Sequence, residues 1–98
     1  MSFFDEVYQI ARQVPKGKVT TYGEMAKALG TKDARKVGWA LHANRDTNCP
    51  CHRVVNKEGK LAANFAFDGE AEQKRRLESE GVVFEGNKVD LEKHRWIP

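Results

Sequence analysis

Apolar residues fall at Phe3, Phe4, Val7, Ile10, Ala11 and Val14, so residues 3–14 read as a helix with one buried face. Pro15-Lys16-Gly17-Lys18 ends it, because proline cannot continue a helix and glycine supplies a turn. Val19-Thr20-Thr21 is a short extended link. Thr21 precedes Glu24 by three positions, the spacing of a capping box, with Tyr22 at the first helical position. Met25, Ala26 and Leu29 form the buried stripe of a second helix that stops at Gly30. Asp33 caps a third helix carrying Ala34, Val37, Gly38, Ala40 and Leu41, which ends near Ala43-Asn44. Two short helices around a tight turn outline a helix-turn-helix, with Arg35 and Lys36 in the first turn of its second helix. An ordinary helical hairpin with a solvated charged end has the same pattern.

Beyond Asn44 the pattern changes. Residues 44–53 are a polar loop, and the β-branched pair Val54-Val55 reads as a short buried strand. Asn56-Lys57-Glu58-Gly59 has turn composition, with a return strand at Lys60-Leu61-Ala62. Phe65 and Phe67 sit in the loop-like run Asn64–Gly69, where a core plug is the ordinary use of two phenylalanines. Asp68 can cap a charged helix over residues 69–80 that turns Leu77 inward and closes at Gly81. Val82-Val83-Phe84, a turn over residues 85–88 and Val89-Asp90-Leu91 predict a hairpin. Trp96 is expected to cover the core. The pattern as a whole predicts one α/β (α+β) domain over residues 1–98, with no repeat, low-complexity stretch or linker.

Composition narrows the function classes. No apolar run approaches membrane-spanning length, and the start Met1-Ser2-Phe3-Phe4-Asp5 lacks the features of a signal peptide, which predicts a cytoplasmic protein with no membrane partner. A formal net charge of +3 is compatible with a nucleic-acid partner without demanding one. Cys49 and Cys51 alone make no disulfide framework and are too few for a zinc site without help from His42, His52 or His94, and no metal or cofactor is expected. A redox or metal module built on these two thiols would need a strained bridge.

The chemistry concentrates in Pro50-Cys51-His52-Arg53-Val54. Pro50 fixes its own φ and presents the thiol from a rigid corner. A nucleophilic cysteine must shed a proton, and a neighbouring imidazole is the usual route. If the segment is extended, adjacent side chains face opposite ways and His52 reaches Cys51 only through a water. A buried structural cysteine fits the dipeptide as well.

In chain order, Thr-Tyr-Gly-Glu, Ala-Arg-Lys-Val-Gly, an Asn, Pro-Cys-His-Arg-Val and a helix ending Glu-Gly resemble the C-terminal domain of the O6-alkylguanine-DNA alkyltransferases. The match runs from about residue 3 to about residue 85. The resemblance implies a winged-helix-like domain that flips a damaged guanine out of duplex DNA and takes its alkyl group irreversibly. Cys51 then matches the alkyl acceptor, His52 the water-linked base, and Glu80 the carboxylate orienting that base. Glu80 stands at a helix C-terminus, where a negative side chain is mildly unfavourable, so its position favours a functional role. Asn44 matches the hinge asparagine bracing the reactive turn. Arg35 matches the arginine that fills the vacated base stack, and Tyr22 the tyrosine that crowds the target phosphate. Lys36 and the small residue Gly38 complete the DNA-binding set, and Pro50, Trp39, Val54, Phe65 and Phe67 the pocket lining.

The sequence also departs from that family. Trp39 replaces a small residue, and burial against the first helix is its expected reading. The family's pocket loop commonly runs Asn-Tyr-Ser-Gly-Gly; here Phe65 lacks the phenolic hydroxyl, and Asp68 replaces a glycine. Gln73 falls where a pocket lysine is common. The single-domain length and the Trp96-Ile97-Pro98 ending resemble the alkyltransferase-like proteins, which bind alkylated DNA without repairing it and signal to nucleotide excision repair. Those usually carry tryptophan or alanine at the position of Cys51. Retention of Cys51, His52 and Glu80 together implies a competent acceptor, and a monomer is expected.

Overall fold

The computed structural model describes residues 2–62 and 69–98. Asn64, Phe65, Phe67 and Asp68, to which the sequence assigned a core plug, a pocket lining and a helix cap, therefore lie outside the described residues.

Helix α1 spans Phe3–Gln13. Ser2 and Asp5 form a reciprocal capping box at its start, a signal the apolar periodicity does not carry. Its inward stripe Val7, Ala11 and Val14 is completely or almost completely buried. Each buried valine contributes on the order of 1.5–3 kcal/mol. Strand β1 is Thr20–Thr21, and α2 follows directly over Tyr22–Ala28. Thr21 Oγ1 accepts from the Glu24 amide at 3.1 Å, which is the forward half of the expected capping box. Gly30 takes φ +75° after the helix, and Asp33 caps α3, Ala34–Ala43, by accepting from the Lys36 amide at 3.1 Å. Helices α2 and α3 pack directly on one another, giving the expected helix-turn-helix.

Cys51–Arg53 forms one 3₁₀ turn that runs into β2, Val54–Val55. Strands β1 and β2 pair in parallel, Thr20 opposite Val54 and Thr21 opposite Val55. Successive strand side chains face opposite ways, so this pair divides the interior. Val54 joins the core of α1, α2, α3 and both cysteines. Val55 joins a second core with Val19, Leu77, Val82 and Val89. Helix α4, Gly69–Ser79, closes that second core through Leu77 and ends before Gly81 at φ +90°.

The C-terminal part differs from its sequence reading in three places. Lys60–Ala62 does not return as a strand on Val54–Val55. The Asn56 amide instead donates to the Lys60 carbonyl, closing the turn on itself, and Lys60 makes a single bridge to Lys88. The hairpin exists as β3, Phe84–Glu85, and β4, Lys88–Val89, but Leu91 does not extend it. Asp90 accepts from the Lys93 amide and starts a short helix α5, Leu91–His94. Trp96 is half-buried outside both cores, with its amide bonded to the Val19 carbonyl at 2.7 Å. Gly59, at φ +86°, is where that turn meets the hairpin. A Cβ there would stand 2.6 Å from the Val89 carbonyl oxygen, so only glycine fits.

Candidate active site

The segment that carries Cys51 is a tight corner. Pro50 takes φ −79° and ψ 63°, and the Cys51 amide donates to the Cys49 carbonyl at 2.8 Å. The Arg53 amide then bonds the Pro50 carbonyl, completing the 3₁₀ turn. The turn replaces the extended geometry considered from the sequence. It buries Cys51 and His52, and β2 anchors it immediately downstream.

His52, Arg53 and Glu80 form the polar centre beneath that corner. His52 Nε2 lies 3.0 Å from Glu80 Oε2. A carboxylate accepts only, so Nε2 carries the proton and Nδ1 is left as the acceptor of the ring. Arg53 holds the same carboxylate in a fork, Nε to Oε1 at 3.0 Å and Nη2 to Oε2 at 2.7 Å. Its remaining Nη1 donates to the Val14 carbonyl at 2.9 Å, tying the network to the end of α1. Burial works to raise the Glu80 carboxyl, but hydrogen bonds from Arg53 and His52 outweigh it and hold the group below the usual carboxylate range. Burial pushes the His52 imidazole down, against the opposing pull of Glu80. A neutral His52 beside an ionised Glu80 is thus the resting arrangement.

Two amides brace the corner. Asn44, 3% exposed, donates through Nδ2 to the Asp46 carbonyl and accepts the Asp46 amide on Oδ1, fixing the start of the loop. Its side-chain hydrogen bond also favours the Cys51 thiolate. Gln73 is completely buried. It donates to the carbonyls of His52 and Val54 at 3.1 and 3.0 Å and accepts the Ala62 amide at 2.9 Å. The sequence pointed to Gln73 only as a replacement for a pocket lysine; here it clamps the backbone on both sides of Arg53. Arg53 was not singled out either. Its signal was its place one residue after His52, but the fork to Glu80 spans 27 positions and appears only on folding.

Cys49 and Cys51 are both free, with Sγ atoms 3.8 Å apart and the Cys51 thiol directed at Cys49. That hydrogen bond pulls Cys49 down against burial, and the same bond, then burial, pushes Cys51 up. The two titrate as one pair.

The helix-turn-helix carries the second set of expected residues. Arg35 is exposed and has no hydrogen bond or ion pair among the described residues. Gly38 faces Tyr22, whose Cε1 lies 4.0 Å from where a Cβ would stand. Tyr22 is half-buried, and burial raises its phenol. Lys36 lies on the α1 side, its ammonium 4.7 Å from the centre of the Phe3 ring. Tyr8 also pins that side of α3 by donating to the Ala40 carbonyl at 2.7 Å. Trp39 corrects the sequence reading: it is 60% exposed rather than buried against α1. Position 39 follows Arg35 by four residues on the outer face of α3, while its neighbour Ala40 takes the buried position. Pro50 is half-buried, and Val54 lies in the core that includes Cys51. Among the described residues, no group of three or more His, Cys, Asp or Glu side chains could hold a metal ion.

Residues 2–82 match the family described as "6-O-methylguanine DNA methyltransferase, DNA binding domain". Alkyltransferase-like protein 1 of Schizosaccharomyces pombe is 39% identical over 103 residues, covering 98% of this chain and 95% of that protein. A methylated-DNA–protein-cysteine methyltransferase of Thermococcus gammatolerans is 43% identical over 82 residues, covering 82% of this chain but 45% of that enzyme. The crystal structure of S. pombe Atl1 in complex with damaged DNA containing O6-carboxymethylguanine superposes with a TM-score of 0.81 at 38% identity, over 98% of this chain and 95% of that one. The fold, the order of the motifs and these matches agree, and the chain belongs to the 6-O-methylguanine DNA methyltransferase family through its DNA-binding domain.

Proposed function

We propose that this domain binds duplex DNA carrying O6-alkylguanine, turns the damaged base out of the stack and takes the alkyl group onto Cys51. The observation that carries this reading is the Glu80-held His52 in the turn that presents Cys51. With Nε2–H committed to Glu80, Nδ1 is the ring atom able to receive the thiol proton, through one water. The Cys51 thiolate attacks the alkyl carbon bound to O6. The S–C bond forms as the C–O bond breaks, and the guanine leaves with the electron pair and regains a proton. No cofactor enters, and one molecule repairs one base.

Arg35 fills the gap left by the extruded base, Tyr22 crowds the target phosphate, and Gly38 permits close approach of α3 to the minor groove. Lys36 adds charge at the rim, and Asn44 holds the loop that delivers the thiol. Pro50 borders the incoming base and Val54 backs the thiol from the core; Phe65 and Phe67, outside the described residues, are assigned to the pocket by the resemblance alone. The exposed guanidinium of Arg35, without a hydrogen-bond or ionic partner among the described residues, supports this division of labour. The domain acts as a monomer.

A second reading is favoured by the likeness to the S. pombe alkyltransferase-like protein, which extends over 98% of this chain where the methyltransferase match extends over 82%. In it the domain is a sensor that holds the alkylated base and hands the complex to nucleotide excision repair. Intact mass after incubation with a duplex containing one O6-methylguanine separates the two. A single methylene gained within residues 49–53 supports the acceptor. Tight lesion binding with no mass change supports the sensor.

A further inference from the structure

The corner that presents Cys51 brings a second thiol with it. Pro50 at φ −79°, ψ 63° is an inverse γ-turn, closed by the Cys51 amide on the Cys49 carbonyl. Adjacent Cα atoms are about 3.8 Å apart, so residues two positions apart are never further than about 7 Å. A closed turn shortens that span into the ~4.4–6.8 Å range that disulfides occupy. The Sγ atoms already stand 3.8 Å apart, and each residue is at most 5% exposed. Alkyl acceptance has no use for Cys49, and packing alone is met by any small apolar side chain.

We infer that Cys49 and Cys51 are a redox pair, which closes as an intraturn disulfide when it meets a hydroperoxide. The thiolate of the pair attacks one peroxide oxygen; the O–O bond breaks, the alcohol or water leaves, and a sulfenic acid remains. The neighbouring sulfur attacks that sulfur, the S–O bond breaks, and its thiol proton departs with the hydroxyl as water. In sum, two thiols and one hydroperoxide give one disulfide, one alcohol (or water) and one further water. The first proton leaves such a pair readily, because the remaining S–H donates to the thiolate. The neighbouring thiol directs oxidation to a reversible disulfide in place of the sulfinic acid a solitary thiolate reaches. That the disulfide also stops alkyl acceptance rests on the function proposed above.

The test treats the reduced full chain with equimolar hydrogen peroxide, quenches with catalase, denatures and adds N-ethylmaleimide. The expected product is a monomer lighter by two hydrogens, with no maleimide on the peptide that contains Cys49 and Cys51. Dithiothreitol returns two maleimide sites. Cys49→Ser gains one or two oxygens on Cys51 instead. Wild-type protein that gains oxygen, forms disulfide-linked dimers or keeps both thiols overturns the inference. Lesion duplex added before and after dithiothreitol gives a separate readout. If even the reduced chain takes no alkyl group, the acceptor reading fails while the thiol result stands by itself.

Discussion

The reactive turn and the outer face of α3 are joined by one short loop, yet they are built in opposite ways. In the turn, side chains are held from several sides: His52 by Glu80, Glu80 by a two-point fork from Arg53, and the backbone by Gln73. On α3, Arg35 and Trp39 stand exposed, and Arg35 has no hydrogen-bond or ionic partner among the described residues. The turn resembles a site prepared before its substrate arrives, where geometry is fixed in advance and stability is lost if any member is removed. The α3 face is the reverse: its side chains contribute little to folding and acquire partners only on binding. Substitutions in the two regions should therefore separate cleanly into stability effects and binding effects.

The largest expected effect is Glu80→Ala. It strands a guanidinium and an imidazole in a nearly closed site, and loss of one partner of a buried pair costs about 3–5 kcal/mol. Urea unfolding would register it, and a loss under about 1 kcal/mol would mean that the network is solvated. Gln73→Leu comes next. It leaves the His52 and Val54 carbonyls and the Ala62 amide without their partner, at about 2–3 kcal/mol by the same measurement. Gln73→Glu would keep the acceptor for Ala62 but set a buried carboxylate oxygen against two carbonyl oxygens, so at neutral pH it should cost at least as much as Leu.

Arg35→Ala tests the other side of the comparison. It should weaken binding to a duplex carrying O6-methylguanine by about 1–3 kcal/mol, with unfolding unchanged within about 0.5 kcal/mol. Equal losses on lesion and undamaged duplex, read by fluorescence anisotropy at fixed salt, would reduce Arg35 to a phosphate contact.

The smallest effect is the pH dependence. His52 is held below its ordinary value of 6.5, so the unfolded chain binds more protons as acid is added, and folding weakens once pH falls below about 6.5. Glu80, held below 4.5, acts in the same direction at lower pH, its contribution fading as pH falls through the folded value. The slope is at most about 1.4 kcal/mol per pH unit for each proton taken up. His52→Gln should flatten the upper part of that profile and leave the lower part in place. A profile unchanged by that substitution would assign the upper part to another group.

The sequence by itself determined the local elements, because their causes are local. Apolar spacing placed α1, Asp33 and Thr21 capped the two helices of the helix-turn-helix, and β-branching marked Val54-Val55 as a strand. The order of short motifs was enough to assign the family, since residue types and separations are sequence properties. Tertiary structure decided what depends on distant partners. Arg53 meets Glu80 across 27 positions, and Gln73 meets the reactive turn across 19 and 21. Hydropathy sent Trp39 inward, but Val37, Ala40 and Leu41 already fill the inner face of α3, so the indole is turned out. Lys60–Ala62 had strand composition, but the turn from Asn56 closes on the Lys60 carbonyl, Lys60 bridges Lys88, and the Ala62 amide is taken by the Gln73 side chain. Local propensity names the elements; burial and long-range pairing choose their partners.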